Sequence, residues 1–172
     1  MLSEKDGAAL LKLARESVAR AFKSEAFSTN AFPEERGVFV TIHKNGGLRG
    51  CIGYPLPVKA LGQSVVEMAR AAAFQDPRFP QLSESELSEV DFEVSVLSVP
   101  KPVKPEDVKV GRDGLIIELR GASGLLLPQV PVEWGWSRKE FLEHLCAKAG
   151  LPPGAWKQAK IKAFQAQVFK EG

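Results

Sequence analysis

Three observations predict an α+β fold built on antiparallel sheets. Segments alternating apolar and polar residues are joined by Gly- and Asn-rich turns, as in hairpins. Segments of helical period stand between them, and no sustained run of strand–helix units suggests a parallel sheet. At 172 residues the chain is expected to form one domain, residues 1–172, or two small lobes sharing a core.

The first 23 residues place Leu10, Leu11, Ala14, Val18, Ala21 and Phe22 on one stripe, which predicts an amphipathic helix. GVFVTIH alternates and predicts a strand; Asn45-Gly46-Gly47 then marks a hairpin, because these residues tolerate positive φ, and LRGCIGY returns. If Val40 and Ile42 share the core with Leu48 and Ile52, paired positions sum to an even number. A three-residue loop with a glycine bulge then sets Lys44 opposite Leu48, His43 opposite Arg49 and Thr41 opposite Cys51. Residues 59–74 predict a second helix, ended by prolines 77 and 80. Ser83 and Glu86 form a capping box for a short helix.

VDFEVSVLS is the cleanest strand, and the Pro-rich KPVKPEDV after it reads as an exposed connection. GLIIEL and GLLLP predict two more strands around an Arg120–Gly124 turn, with Gln129 at the exit of the second. Ser137 and Glu140 open a helix through Ala149, closed by Gly150. KIKAFQAQVF predicts one final strand.

Composition narrows the function. Apolar residues at 44% and charged residues at 26% describe an ordinary globular chain. A net charge of +2 is too small for a protein that chiefly grips a phosphate backbone, which argues against nucleic acid as a partner. Residues 137–172 carry seven bases against three acids, which reads as a solvated face. An adaptor reading would need Trp134, Trp136 and Trp156 exposed for stacking, whereas tryptophans are usually largely buried. No apolar run suits a membrane span and no cleavage-site pattern opens the chain, so a cytoplasmic protein with reduced thiols is expected. Cys51, Cys146, His43 and His144 lack zinc spacing, and neither metal nor cofactor is expected.

The segment Leu48-Arg49-Gly50-Cys51-Ile52-Gly53 is the densest candidate for chemistry. Glycines inside a strand mark a bulge or a close approach of backbone to something else. Alternation puts Arg49 and Cys51 on one face, where a guanidinium would stabilise a thiolate. The alternative is a small buried cysteine in a crowded sheet. His144, beside the apolar stripe of its helix, reads as structural rather than as a base.

LRGCIGYP, AAAFQDPRFPQLSESEL with EVSVLSVP, GLLLPQV with EWGW, and EFLEHLCAKAGLPPGAW together resemble the AMMECR domain family, in order over most of residues 37–169. LRGCIG is that family's hallmark, and the chain is similar to its short stand-alone microbial members. The resemblance implies an α+β protein with a larger and a smaller lobe and a cleft between them, the hallmark lining a functional site. It also implies a modification pathway shared with a Memo-like protein and a radical S-adenosylmethionine protein.

Carried over, the hallmark falls on Leu48 to Gly53, the second block on Asp76, Pro77, Arg78 and Phe79, and the third on Pro128, Gln129, Glu133 and Trp136. Asp76 and Arg78 are expected to pair across their turn, or else to supply a charged rim. Tyr54-Pro55 departs from the small hydroxyl residue many relatives carry there, and Asp113 stands where relatives often have histidine. Two readings follow. One is a Cys51-dependent enzyme, with Arg49 holding a small anionic substrate and His43 or Asp76 handling protons. The other is a non-catalytic module binding a ligand or partner through the same cleft, with Gly50, Gly53, Asp76, Arg78 and Gln129 as binding residues.

Overall fold

The computed structural model describes residues 1–172. The chain divides into two compact units, Met1–Leu97 with Gln167–Gly172, and Ser98–Ala166. Each contains a four-stranded antiparallel sheet. No helix is long and apolar enough to cross a membrane.

The first unit opens with α1 (Glu4–Phe22), started by a Ser3–Asp6 capping box. The hairpin β1 (Val38–Lys44) and β2 (Gly47–Tyr54) leads into α2 (Leu61–Phe74). A 3-10 turn at Glu84–Glu89, capped by Ser83 and Glu86 as expected, precedes β3 (Val90–Leu97). The sheet is ordered β2-β1-β3-β8, its last strand being β8 (Ala166–Lys170). Both helices bury their stripes on one sheet face, where Leu10, Ala14, Val18, Val65 and Ala69 meet Val40, Ile42, Phe92 and Val94.

The second unit contains the two-residue β4 (Lys101–Pro102), the hairpin β5 (Gly114–Leu119) and β6 (Ala122–Leu126), α3 (Gln129–Trp134), α4 (Arg138–Lys148) and β7 (Lys160–Phe164). Its sheet is ordered β4-β7-β5-β6. Leu115, Ile117 and Ile161 form its core with Phe141, Leu142, Leu145 and Cys146 of α4.

Four sequence expectations are corrected. KIKAFQAQVF is two strands in two sheets, divided at Gln165, whose amide and carbonyl are taken by Ser98. The β5–β6 turn is only Arg120-Gly121, both at positive φ, so Ala122 already lies in a strand. Gln129 opens a short helix rather than leaving a strand. Trp134 is 71% exposed; its ring stacks near Trp136, which in turn stacks on His144 at 3.7 Å between ring centres. His144 is accordingly an exposed stacking residue, its Nδ1 within 2.8 Å of the Glu140 carbonyl.

Candidate functional site

The β1–β2 hairpin follows two registers. From Val38 to Ile42 the pairs sum to an even number, including the expected Thr41↔Cys51 and Val40↔Ile52. Nearer the turn the register shifts by one, to His43↔Leu48 and Lys44↔Gly47, with a bulge between Ile42 and His43. Asn45 and Gly46, at φ 52° and 77°, form a two-residue turn of the kind that matches strand twist. His43 therefore does not face Arg49: Arg49 is the extra residue of the bulge. Leu48 is 43% exposed instead of buried.

Released by the bulge, Arg49 is held elsewhere. Its Nε and Nη2 reach the two Glu86 oxygens at 3.2 Å, and its remaining contacts are the Pro80 and Gln81 carbonyls at 2.9 and 3.4 Å. Its side chain is only 11% exposed. Glu86 also accepts the Ser83 amide and Lys44 Nζ, and these donors, the Arg49 guanidinium first, hold its carboxyl well below the usual carboxylate range. The expected anion clamp is thus a tie between the hairpin and the 83–86 turn.

Arg78 takes the position beside the thiol that Arg49 was expected to fill. Asp76, almost fully buried, accepts Arg78 Nε and Nη2 at 3.0 and 2.8 Å, confirming the expected pair. It also accepts the Arg78 amide at 3.0 Å and the Cys51 amide at 2.9 Å. The guanidinium, outweighing burial, holds the Asp76 carboxyl well below the usual range. Arg78 Nη2 further reaches the Cys51 carbonyl at 3.4 Å.

The Cys51 thiol accepts a hydrogen bond from Thr41 Oγ1 at 3.2 Å. Burial pushes it above its ordinary value, outweighing the Thr41 bond and the Arg78 charge, while Asp76 and Glu93 add to the rise. Across the strands, Cys51, Thr41 and Glu93 pair in one row on the sheet face opposite the helices. Glu93 is bound there by Lys170 Nζ at 3.0 Å. His43 stands two residues along β1 on the same face, a diagonal neighbour of Cys51.

The two glycines approach the chain's own backbone. A Cβ on Gly50 would collide with the Ala72 carbonyl of α2, and one on Gly53 with the Val38 carbonyl and the Phe39 ring. The Tyr54 hydroxyl, at the departure from the family pattern, donates to Glu67 of α2. Asp113 is fully buried. Burial alone would raise its pKa, but hydrogen bonds from Arg112, the Lys109 amide and Gln165 prevail and lower it. Gln129 belongs to the second unit and is exposed. Sequence reasoning found Glu86 as a cap but not as the partner of Arg49, and did not place Glu93 or Lys170; nothing in their spacing signals those contacts.

The AMMECR1 family model matches residues 11–169. A protein of Methanocella arvoryzae is 45% identical, covering 99% of this chain and 93% of its own length. One from Methanothermobacter thermautotrophicus is 45% identical, covering 99% and 96%. The crystal structure of an uncharacterised Pyrococcus horikoshii protein has the same fold, with TM-score 0.84 and 40% identity over 99% of this chain and 93% of that one.

Proposed function

The chain belongs to the AMMECR1 family, and from that premise we propose a non-catalytic binding module whose Cys51 face takes a small anionic ligand anchored by Arg78. One observation carries this reading: the Asp76 carboxylate fixes the Cys51 amide and the Arg78 guanidinium together, while the Arg78 side chain remains 55% exposed. Asp76 fills Nε and one side of Nη2, so Nη1 is left as an oriented donor for an acceptor oxygen. Asp76 also offsets much of the local charge, and recognition rests on hydrogen-bond direction more than on net attraction.

The enzyme reading draws less support. A nucleophilic cysteine requires a thiolate, and burial favours the thiol here. Its hydrogen-bond partner is a threonine hydroxyl, which serves poorly as a base. The expected company of a Memo-like protein and a radical S-adenosylmethionine protein belongs to the same proposal and rests on the resemblance. So does a cytoplasmic setting.

The test is the alkylation rate of Cys51 by iodoacetamide from pH 5 to 10 in a Cys146→Ala background. The binding reading expects slow reaction and an apparent pKa above the free-thiol value of about 8.5. An apparent pKa well below it would restore the enzyme. Phosphate and citrate titrated into 15N-labelled protein should shift the Cys51 and Arg78 amides; unmoved amides would count against Arg78 as the anchor.

A further inference from the structure

We infer that the ligand of the Cys51 face is a small ω-amino acid, its carboxylate on Arg78 and its ammonium on Glu93. The inference rests on the reading of Arg78 as an anchor and adds a second anchor of opposite charge. Cys51, Thr41 and Glu93 lie side by side on three neighbouring strands, so two strand spacings, roughly 10 Å, separate the backbones at the ends of the row. Arg78 closes the β2 end, where its Nη2 reaches the Cys51 carbonyl at 3.4 Å.

Glu93 is suited to receive a cation. Its side chain is only 15% exposed, and within the first unit its one partner is Lys170 Nζ, 3.0 Å from Oε2. Lys170 is itself 65% exposed, and ion pairs made from the solvent side contribute little and exchange readily. A carboxylate largely withdrawn from water gains more from an ammonium seated against it. Glu93 also acts on the centre of the row, since its charge helps to raise the Cys51 thiol.

Between the two anchors the row suits methylenes. The Thr41 hydroxyl proton is already given to Cys51 Sγ at 3.2 Å, and sulfur and the threonine methyl make a weakly polar floor. Phe39 and His43, two residues to either side of Thr41 on β1, flank that floor, and the Phe39 ring lies over Gly53.

Charge favours a ligand of both signs over a bare anion. Asp76, Asp91 and Glu93 bring three carboxylates to this face and its β2 edge, against two permanent cations, Arg78 and Lys170. Phosphate or citrate engages Arg78 alone and adds negative charge beside Glu93. A molecule with one charge of each sign adds none, and its carboxylate takes the single direction that Nη1 offers.

The test is an NMR titration of 15N-labelled full-length protein with γ-aminobutyrate and ε-aminocaproate, using butyrate, caproate and butylamine as half-ligands. Saturable shifts of the Arg78, Cys51, Thr41 and Glu93 amides are expected with at least one ω-amino acid, each matching half-ligand binding about tenfold or more weakly. Glu93→Gln should lower the affinity of that ω-amino acid to that of its carboxylate half-ligand. Lys170→Gln, at a surface position, removes the competing ammonium and should tighten the ω-amino acid while leaving caproate unchanged, which a loss of folding would not do. Equal affinity for each ω-amino acid and its carboxylate half-ligand overturns the inference and leaves Arg78 as the anchor of a plain anion. Tighter binding of butylamine than of either ω-amino acid overturns it in favour of a cation site at Glu93. No shift with any of the five compounds also overturns it, and phosphate and citrate, run alongside, show whether the Arg78 anchor falls with it.

Discussion

The Asp76 carboxylate accepts the Cys51 amide at 2.9 Å across a separation of 25 residues, inside a strand where that amide would otherwise need a partner. Two hydrogen bonds from the Arg78 side chain and one from its backbone complete the carboxylate's shell. Truncation to Asp76→Ala removes all of them and leaves the Cys51 N–H unpaired. It should cost about 2–3 kcal/mol in urea unfolding, at the upper end for a charged hydrogen-bonding group because Asp76 is almost fully buried. Unfolding at the wild-type midpoint would show that water replaces the carboxylate without loss.

Acid should expose the same contacts. The pKa values of Asp76 and Glu86 are depressed in the folded protein, Asp76 chiefly by Arg78 and Glu86 chiefly by Arg49. In the unfolded chain they return to about 3.9 and 4.3. Between the two values the unfolded state binds more protons, so the stabilisation is complete above about pH 5 and is lost as pH falls below about 4. Urea midpoints measured from pH 6 to pH 2.5 should fall with acid in the wild type and less steeply in Asp76→Asn. Equal slopes would mean that the Asp76 pKa does not differ between the folded and unfolded states.

Much of this arrangement was legible because it obeys local rules. The Ser83 and Ser137 capping boxes, both amphipathic helices of the first unit and the Thr41↔Cys51 pairing follow from spacing alone. The bulge at Arg49 did not, since it reconciles two signals that conflict. Asn45-Gly46 favours a two-residue turn, while Ile42, Gly50 and Ile52 require the even register to pack against α2. Each prevails at its own end of the hairpin, and one residue is left over. The break at Gln165 was hidden because alternation runs unbroken across it, although the two halves join different sheets. Residues 129–134 are too few, with Pro131 among them, to display a helical period.

Glycine at position 50 is fixed by packing, and glycine at 47 is not. A methyl group at Gly50 would meet the Ala72 carbonyl, which belongs to a helix backbone and cannot rotate away. At Gly47 the nearest contact is an ordinary 3.5 Å from the Lys44 carbonyl. Gly50→Ala should cost about 3 kcal/mol or more, whereas Gly47→Ala should lie within about 0.5 kcal/mol of wild type. Thermal melts of the two variants compare them directly. A Gly50→Ala protein as stable as the Gly47→Ala protein would mean that α2 is free to slide, and the rigid backing of the Cys51 strand would have to be given up.

Arg49 and Arg78 should separate stability from ligand recognition. Arg49 is mostly buried and bridges Glu86 and two backbone carbonyls, so Arg49→Ala should cost about 2–3 kcal/mol, leaving a partly buried carboxylate short of its main partner. Arg49→Lys should recover less than half of that, because an ammonium cannot span both Glu86 oxygens and the Pro80 carbonyl together. Arg78 is half exposed, and in Arg78→Gln the Asp76 carboxylate keeps its two backbone amides. Its loss should therefore weaken folding less than the loss of Arg49, yet remove the phosphate- and citrate-induced shift of the Cys51 amide. Urea unfolding and the NMR titration, run on all three variants, read the two effects separately. If Arg49→Lys keeps full stability but loses the shift, the bulged arginine is the anchor after all, and Arg78 only shapes the turn around Asp76.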